Sequence, residues 1–148
     1  VNRQGVFFLR HPKDFCIEYR DVASKSAKDE FFVAGWFKTA RGFKKDSLTK
    51  IKELLKQRLK TQPIQQPNAG SVFRNPPGEF AAKLIDECGL KGFRVGGASV
   101  SRKHANFFVN TGDATAKDFE SLMATVKNAV LEQSGIELKN EVVVVGDG

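Results

Sequence analysis

The chain of 148 residues has two cysteines, two histidines, one methionine, one tyrosine and one tryptophan. That scarcity removes several kinds of chemistry. Cys16 and Cys88 fit neither a CxxC pattern nor a metal-ligand spacing, so they read as two buried thiols of a reducing compartment. His11 and His104 stand 93 positions apart and no cluster has ligand spacing, so no metal is expected. Ser71 lacks the Gly-x-Ser-x-Gly setting of a hydrolase elbow, and Gly96-Gly97 lacks the GxGxxG pattern of a dinucleotide fold. No apolar run approaches the ~20 residues of a membrane span, and no signal peptide opens the chain. The expectation is a soluble, cytoplasmic protein with no membrane partner. No internal repeat or low-complexity segment stands out.

What the chain does have is phenylalanine and positive charge. Composition is ordinary for a globular protein, at 41% hydrophobic and 28% charged residues. Thirteen Phe residues carry no polar handle, so most of them are expected in the core. The formal net charge is +7. Eight basic and two acidic residues between Arg41 and Lys60 give that segment +6. A basic helix there reads first as a solvated face. A nucleic-acid-binding module is the alternative, but no RNA or DNA motif accompanies the charge, and no nucleic-acid partner is expected.

In chain order, the apolar run Val6-Phe7-Phe8-Leu9 reads as a strand broken by His11-Pro12, with a single turn over 12–15. A polar loop is expected over 24–29. Residues 30–40, with Phe31, Phe32, Val33, Trp36 and Phe37, are the most strand-like of all. Asp46 or Ser47 would cap the next helix, in which Leu48, Ile51, Leu54, Leu55 and Leu59 recur at helical spacing up to about Lys60. Pro63 and Pro67 enforce an extended connection. Phe80, Leu84, Ile85 and Cys88 mark a short helix ended by Gly89. A strand is expected over 92–95, a tight bend at Gly96-Gly97 and a compact strand over 106–110. Thr115 with Asp118 forms a near capping box for a helix whose buried stripe is Phe119, Leu122, Met123, Val126 and Val130, ended by Gly135. Glu141 heads a last strand over 142–145. Irregular alternation of strands and helices after Phe43 predicts an α+β domain, and the boundary falls near residues 40–43.

The stretch 68–78, NAGSVFRNPPG, is denser in breakers than a core strand tolerates. It reads either as an ordinary turn or as a site loop, with a very short strand that points Ser71, Phe73 and Asn75 to one side. The candidate chemistry is a serine, an arginine and a carboxylate. An arginine holds a substrate carboxylate bidentately and stabilises charge building on it. A serine, weakly acidic, gives its proton to a strong base such as a carbanion, and a glutamate supports the same centre.

The string NAGSVFRNPPG at 68–78, followed by AKLIDECGLKG at 82–92, GGASVS at 96–101 and KHANF at 103–107, resembles the UDP-N-acetylenolpyruvoylglucosamine reductases, the MurB enzymes of peptidoglycan precursor synthesis. The resemblance runs from Phe15-Cys16-Ile17-Glu18-Tyr19-Arg20 to Glu141-Val142. It implies the end of an FAD-binding domain of the PCMH/VAO-like kind over 1–41, then a substrate-binding domain over 42–148. It implies NADPH and FAD as cofactors and UDP-N-acetylglucosamine enolpyruvate as substrate. By resemblance Ser71 is the proton donor, Arg20 meets the substrate carboxylate, and Glu141 is the supporting carboxylate. Asn75 and His104 lie on the substrate side, and Arg58 and Lys60 lie near a basic position that meets diphosphate. The distance from Arg20 to Ser71 resembles the branch that lacks an inserted tyrosine-bearing loop. Val22, Lys139-Asn140 and Val143 depart from the family pattern. Most of the FAD-binding portion is expected to be missing from this chain. That leaves an inactive UDP-sugar-binding fragment as the alternative to a working enzyme.

Overall fold

A computed structural model describes residues 1–25 and 29–146. The chain divides into two compact units, Val1–Gly42 and Phe43–Gly148.

In the first unit, a single 3₁₀ turn at Pro12–Asp14 leads into a hairpin of β1 (Phe15–Glu18) and β2 (Asp21–Ser24). Glu18 pairs with Asp21, so Tyr19 and Arg20 form a two-residue turn. Residues 1–10 and 29–31 are joined by an isolated bridge between Asn2 and Glu30. A two-pronged ion pair reinforces it, with Arg10 Nη2 at 2.5 Å and Nε at 2.9 Å from the Glu30 oxygens. That guanidinium holds the Glu30 carboxyl below the usual carboxylate range. The strands expected at Val6–Leu9 and over 30–40 do not form: apart from the Glu30 bridge, neither segment has regular structure. A strand needs a hydrogen-bonded neighbour along its length as well as the right side chains, and among the described residues the pairing of 30–40 stops at the Asn2–Glu30 bridge and the mutual Val1–Phe31 backbone bonds. Of the loop expected over 24–29, Ser24 ends β2 and residues 26–28 lie outside the described residues.

The second unit opens with α1 (Lys44–Thr61). Its N-cap is Phe43, with no side-chain hydrogen bond; neither Asp46 nor Ser47 caps it. The leucine stripe has the expected spacing, but Leu48, Ile51, Leu54, Leu55 and Leu59 are all exposed.

Beyond α1 comes β3 (Asn68–Ser71), then α2 (Ala81–Glu87), β4 (Arg94–Val95), β5 (Ala98–Val100), β6 (Phe107–Asn110) and α3 (Ala116–Ser134). The four strands form one antiparallel sheet in the order β3-β6-β5-β4. The predicted α+β class holds. Side chains alternate along β5 and β6. Ala98, Val100 and Phe108 face a core shared with Leu84 and Ile85 of α2 and with Leu122, Val126 and Val130 of α3. Their neighbours Ser99, Phe107 and Val109 take the other face. The Thr115–Asp118 capping box is present in both directions, and α3 ends at Gly135. Close approach requires the Gly96-Gly97 bend, since a Cβ on Gly97 would lie 2.4 Å from the Ala114 backbone nitrogen.

Several local expectations fail in instructive ways. Phe80 is the exposed N-cap of α2 rather than part of its buried stripe. Of the thirteen Phe residues only Phe73, Phe107 and Phe108 are buried. Cys16 is exposed and Cys88 is half-buried, so the pair is not two core thiols. No strand forms over 142–145, where Val143, Val144 and Val145 are exposed. Only Asn140 bridges to Phe73. No helix among the described residues is long and apolar enough to cross a membrane.

Candidate functional site

Ser71 is the last residue of β3, directly opposite Phe107 of β6. Residues paired in this way present their side chains on the same face. Ser71 therefore lies on the sheet face away from α2 and α3. The expected alternation stops there. Val72 and Phe73 both enter the core, because the chain leaves the ladder after Ser71 and twists inward. Ser71, Phe73 and Asn75 do not share a side.

A residue that sequence reasoning missed holds this departure in place. Asn106 is buried, and its side chain pairs with the Phe73 backbone: Oδ1 accepts from Phe73 N–H at 2.9 Å and Nδ2 donates to Phe73 C=O at 2.8 Å. Its own carbonyl accepts from Val72 N–H at 2.9 Å. One asparagine thus replaces a missing strand partner for the site loop. The available signal was an amide in the otherwise apolar run 105–109.

Glu141 arrives by backbone pairing. Its N–H donates to the Val72 carbonyl at 2.8 Å, and Arg74 N–H donates to the Lys139 carbonyl at 2.8 Å. The half-buried carboxylate residue is thus fastened beside the residue that follows Ser71. His104 comes in from the loop before β6. Its ring meets Phe107 edge-on, with centroids 4.8 Å apart. Nδ1 accepts from Asn106 N–H at 3.3 Å, which leaves the proton on Nε2. Burial and the nearby Lys91 charge push its pKa down, so the ring is a neutral N–H donor.

Asn75 is exposed and immediately precedes the Pro-Pro-Gly turn, which its side chain spans. Its Oδ1 accepts from Ala81 N–H at 3.1 Å at the start of α2. Arg58 and Lys60 are exposed in the last turn of α1, and Arg58 Nε donates to Gln62 Oε1 at 2.8 Å. Lys103 Nζ donates to the Leu59 carbonyl at 3.0 Å, tying this helix end to the loop that carries His104. Glu141 is thus pinned beside the residue after Ser71, the His104 ring lies against Phe107, which pairs with Ser71, and the Arg58–Lys60 helix end is tied to the His104 loop, whereas Asn75 is engaged at the start of α2.

Arg20 belongs to the first unit. It is exposed at the hairpin turn, and its guanidinium lies 5.8 Å from the Tyr19 ring centre. Its φ of 60° puts a non-glycine residue in the left-handed region. Such strain costs about 1–3 kcal/mol and clusters at functional sites.

A four-stranded antiparallel sheet with two helices packed on one face defines a two-layer α+β domain. The family profile described as UDP-N-acetylenolpyruvoylglucosamine reductase, C-terminal domain, matches residues 62–145, and the chain belongs to that family. The UDP-N-acetylenolpyruvoylglucosamine reductase of Thiobacillus denitrificans is 48% identical over 147 residues, covering 99% of this chain and 45% of the relative. That of Legionella pneumophila (strain Corby) is 50% identical over 148 residues, covering 99% of this chain and 47% of the relative. The crystal structure of the Thermus caldophilus UDP-N-acetylenolpyruvylglucosamine reductase (MurB) matches with a TM-score of 0.54 at 44% identity. That match covers 66% of this chain and 34% of the crystal chain. The chain spans about half the length of the curated relatives it matches.

Proposed function

We propose that this chain is the C-terminal part of a cytoplasmic UDP-N-acetylenolpyruvoylglucosamine reductase, an FAD- and NADPH-dependent enzyme that reduces the enolpyruvyl double bond of UDP-N-acetylglucosamine enolpyruvate. Unit Phe43–Gly148 is the substrate-binding domain, and unit Val1–Gly42 is the end of an FAD-binding domain. The observation that carries this reading is the Glu141–Val72 backbone bond. It sets a carboxylate residue beside the Ser71 strand although the two are 70 positions apart in sequence.

Among the described residues no glycine-rich turn leads into a helix N-terminus to cradle a flavin diphosphate. The groups present fit the substrate side of the reaction. When bound in the joined protein, reduced FAD would supply the hydride, and this chain's residues would supply the proton and the charge control. The Ser71 hydroxyl gives its proton to the carbon next to the substrate carboxylate, where negative charge builds. Glu141 supports that centre, and Arg20 meets the substrate carboxylate. His104, neutral with its proton on Nε2, donates to a diphosphate oxygen. Asn75 has its Oδ1 engaged with α2, so its Nδ2 is the group turned to the UDP-sugar. Arg58 and Lys60 add positive potential for the dianionic diphosphate.

In the protein joined to its FAD-binding part, Ser71→Ala leaves flavin reduction by NADPH intact and slows reduction of the enolpyruvyl substrate by several orders of magnitude. Stopped-flow measurement of the two half-reactions separates these effects, and equal loss in both would sink the proton-donor role.

A further inference from the structure

The sheet face that carries Ser71 also holds a second polar concavity, built from residues that the proposed reaction does not use. The pairings Arg94–Ser99 and Ser99–Val109 place these three side chains on that face. They border an open cleft of about 420 Å³, lined also by Ser101, Arg102, Lys103 and Thr111. That volume lies within the range of small-molecule sites.

The cations in this cleft are held by neutral groups. Arg94 Nη2 donates to Thr111 Oγ1 at 2.7 Å, and that hydroxyl donates to the Gly97 carbonyl at 2.7 Å. The Arg102 guanidinium lies against Gly92, where an added Cβ would sit 2.8 Å from its central carbon. Gly92 has φ +82°, so a side chain there would be strained as well as crowded. Lys103 is anchored on the Leu59 carbonyl. Among the described residues no carboxylate stands within ion-pair distance of Arg94, Arg102 or Lys103. An arginine oriented by a hydroxyl or by packing keeps its full charge for a ligand, whereas one paired with aspartate does not.

A buried donor completes the set. Ser101 is 3% exposed, and its Oγ accepts from the Lys103 and His104 amides at 3.1 and 3.4 Å. That arrangement leaves its own proton for an acceptor in the cleft. Two guanidinium groups, an ammonium and a hydroxyl donor, with no acidic side chain among the lining residues, form a receptor for a compact anion. We propose that this cleft binds a phosphate-bearing small molecule at a site separate from the one formed around Ser71. The Arg94 and Arg102 forks take the phosphate oxygens, and Ser101 donates a third hydrogen bond.

The test uses inorganic phosphate and pyrophosphate as probes on the intact chain, at constant ionic strength set with chloride. Two-dimensional NMR follows the side-chain Nε–H signals of Arg94 and Arg102. Saturable shifts of both signals with pyrophosphate are expected, and chloride alone is expected to leave them in place. Arg94→Gln combined with Arg102→Gln is expected to weaken pyrophosphate binding at least tenfold, with the backbone spectrum otherwise preserved. An unchanged affinity in that double variant overturns the proposal. So do shifts that chloride reproduces, which would mark simple screening. Displacement of pyrophosphate from Arg94 and Arg102 by a UDP-sugar also overturns it, by merging the cleft with the substrate site. Should the double variant lose its native backbone spectrum, the single Lys103→Gln change takes its place, with at least a threefold weakening expected and unchanged affinity overturning the site.

Discussion

Units Val1–Gly42 and Phe43–Gly148 draw on similar side chains and bury them very differently. The first places Val6, Phe7, Leu9, Phe31, Phe32, Val33, Trp36 and Phe37 on its surface, with Trp36 and Phe37 85% and 89% exposed. None of its described residues is fully buried. The second encloses Phe73, Ile85, Phe108, Leu122, Val126, Val130 and Leu138 almost completely. The difference lies in partners, since both are rich in apolar residues. In the second unit, sheet and helices each cover the other's apolar face. In the first, the hairpin is two-stranded and, among the described residues, 32–40 pair with no strand. A lone hairpin is marginal in water. Even α1 shows the effect within the second unit, where its leucine stripe stays exposed. Apolar composition sets how much area is available for burial, and topology decides whether it is buried.

The largest expected effect tests this contrast directly. Phe73 is fully buried and packs edge-on against Phe108 with ring centroids 5.9 Å apart. Phe73→Ala should cost about 4 kcal/mol of unfolding free energy. Phe37→Ala, at an exposed site, should change it by less than about 0.5 kcal/mol. Urea denaturation of both variants gives the comparison. A cost at Phe37 approaching that at Phe73 would mean the first unit has a core of its own.

Next in size is Asn106. Removing its side chain leaves the Phe73 N–H and C=O buried without partners, each worth about 1–3 kcal/mol. Asn106→Ala should therefore cost about 3 kcal/mol. It should also raise hydrogen exchange at Phe73 and at Glu141, whose amide depends on the same backbone run. Full stability in this variant would show that the site loop is held from the Glu141 side alone.

How much of this was legible in the sequence depended on how local each signal is. Helix α3 could be read whole, because its capping box, apolar period and terminal glycine all lie within about two dozen residues. So could the Gly96-Gly97 bend. Strand β5 went unread, since Ala98-Ser99-Val100 is too short to show a period and is set by pairing with β6. Residues 30–40 were misread because strand composition says nothing about whether a neighbour exists. The site divides in the same way. Ser71 and Asn75 stood out from the breakers around them. By contrast, the bond that brings Glu141 to Val72 and the amide clamp of Asn106 span 69 and 33 positions, and no local pattern encodes either. Glu141 stood out at the head of an all-valine run and again in the family motifs, and nothing singled out Asn106.

The smallest expected effect concerns pH and reports on the second unit. His104 is less basic in the folded protein than in the unfolded chain, first through burial and then through Lys91. The unfolded state therefore binds more protons as pH falls below about 6.5, and stability drops with it. Above that pH the contribution is fully present; it is lost as pH falls through the lower folded value. His104→Gln keeps a polar side chain and removes this titration. Its stability should fall less steeply between pH 7 and 5 than that of the unsubstituted chain, as read from urea midpoints across that range. Asp118, held below its usual range by the Thr115 amide, titrates at lower pH and leaves this window clear. A second substitution, His104→Phe, removes the ring's N–H donor and separates two roles for the ring. If His104 serves only to pack against Phe107, His104→Phe changes stability and nothing else. If its Nε2 proton meets the substrate diphosphate, the variant of the protein with its FAD-binding part raises KM for the UDP-sugar severalfold while flavin reduction by NADPH stays as before.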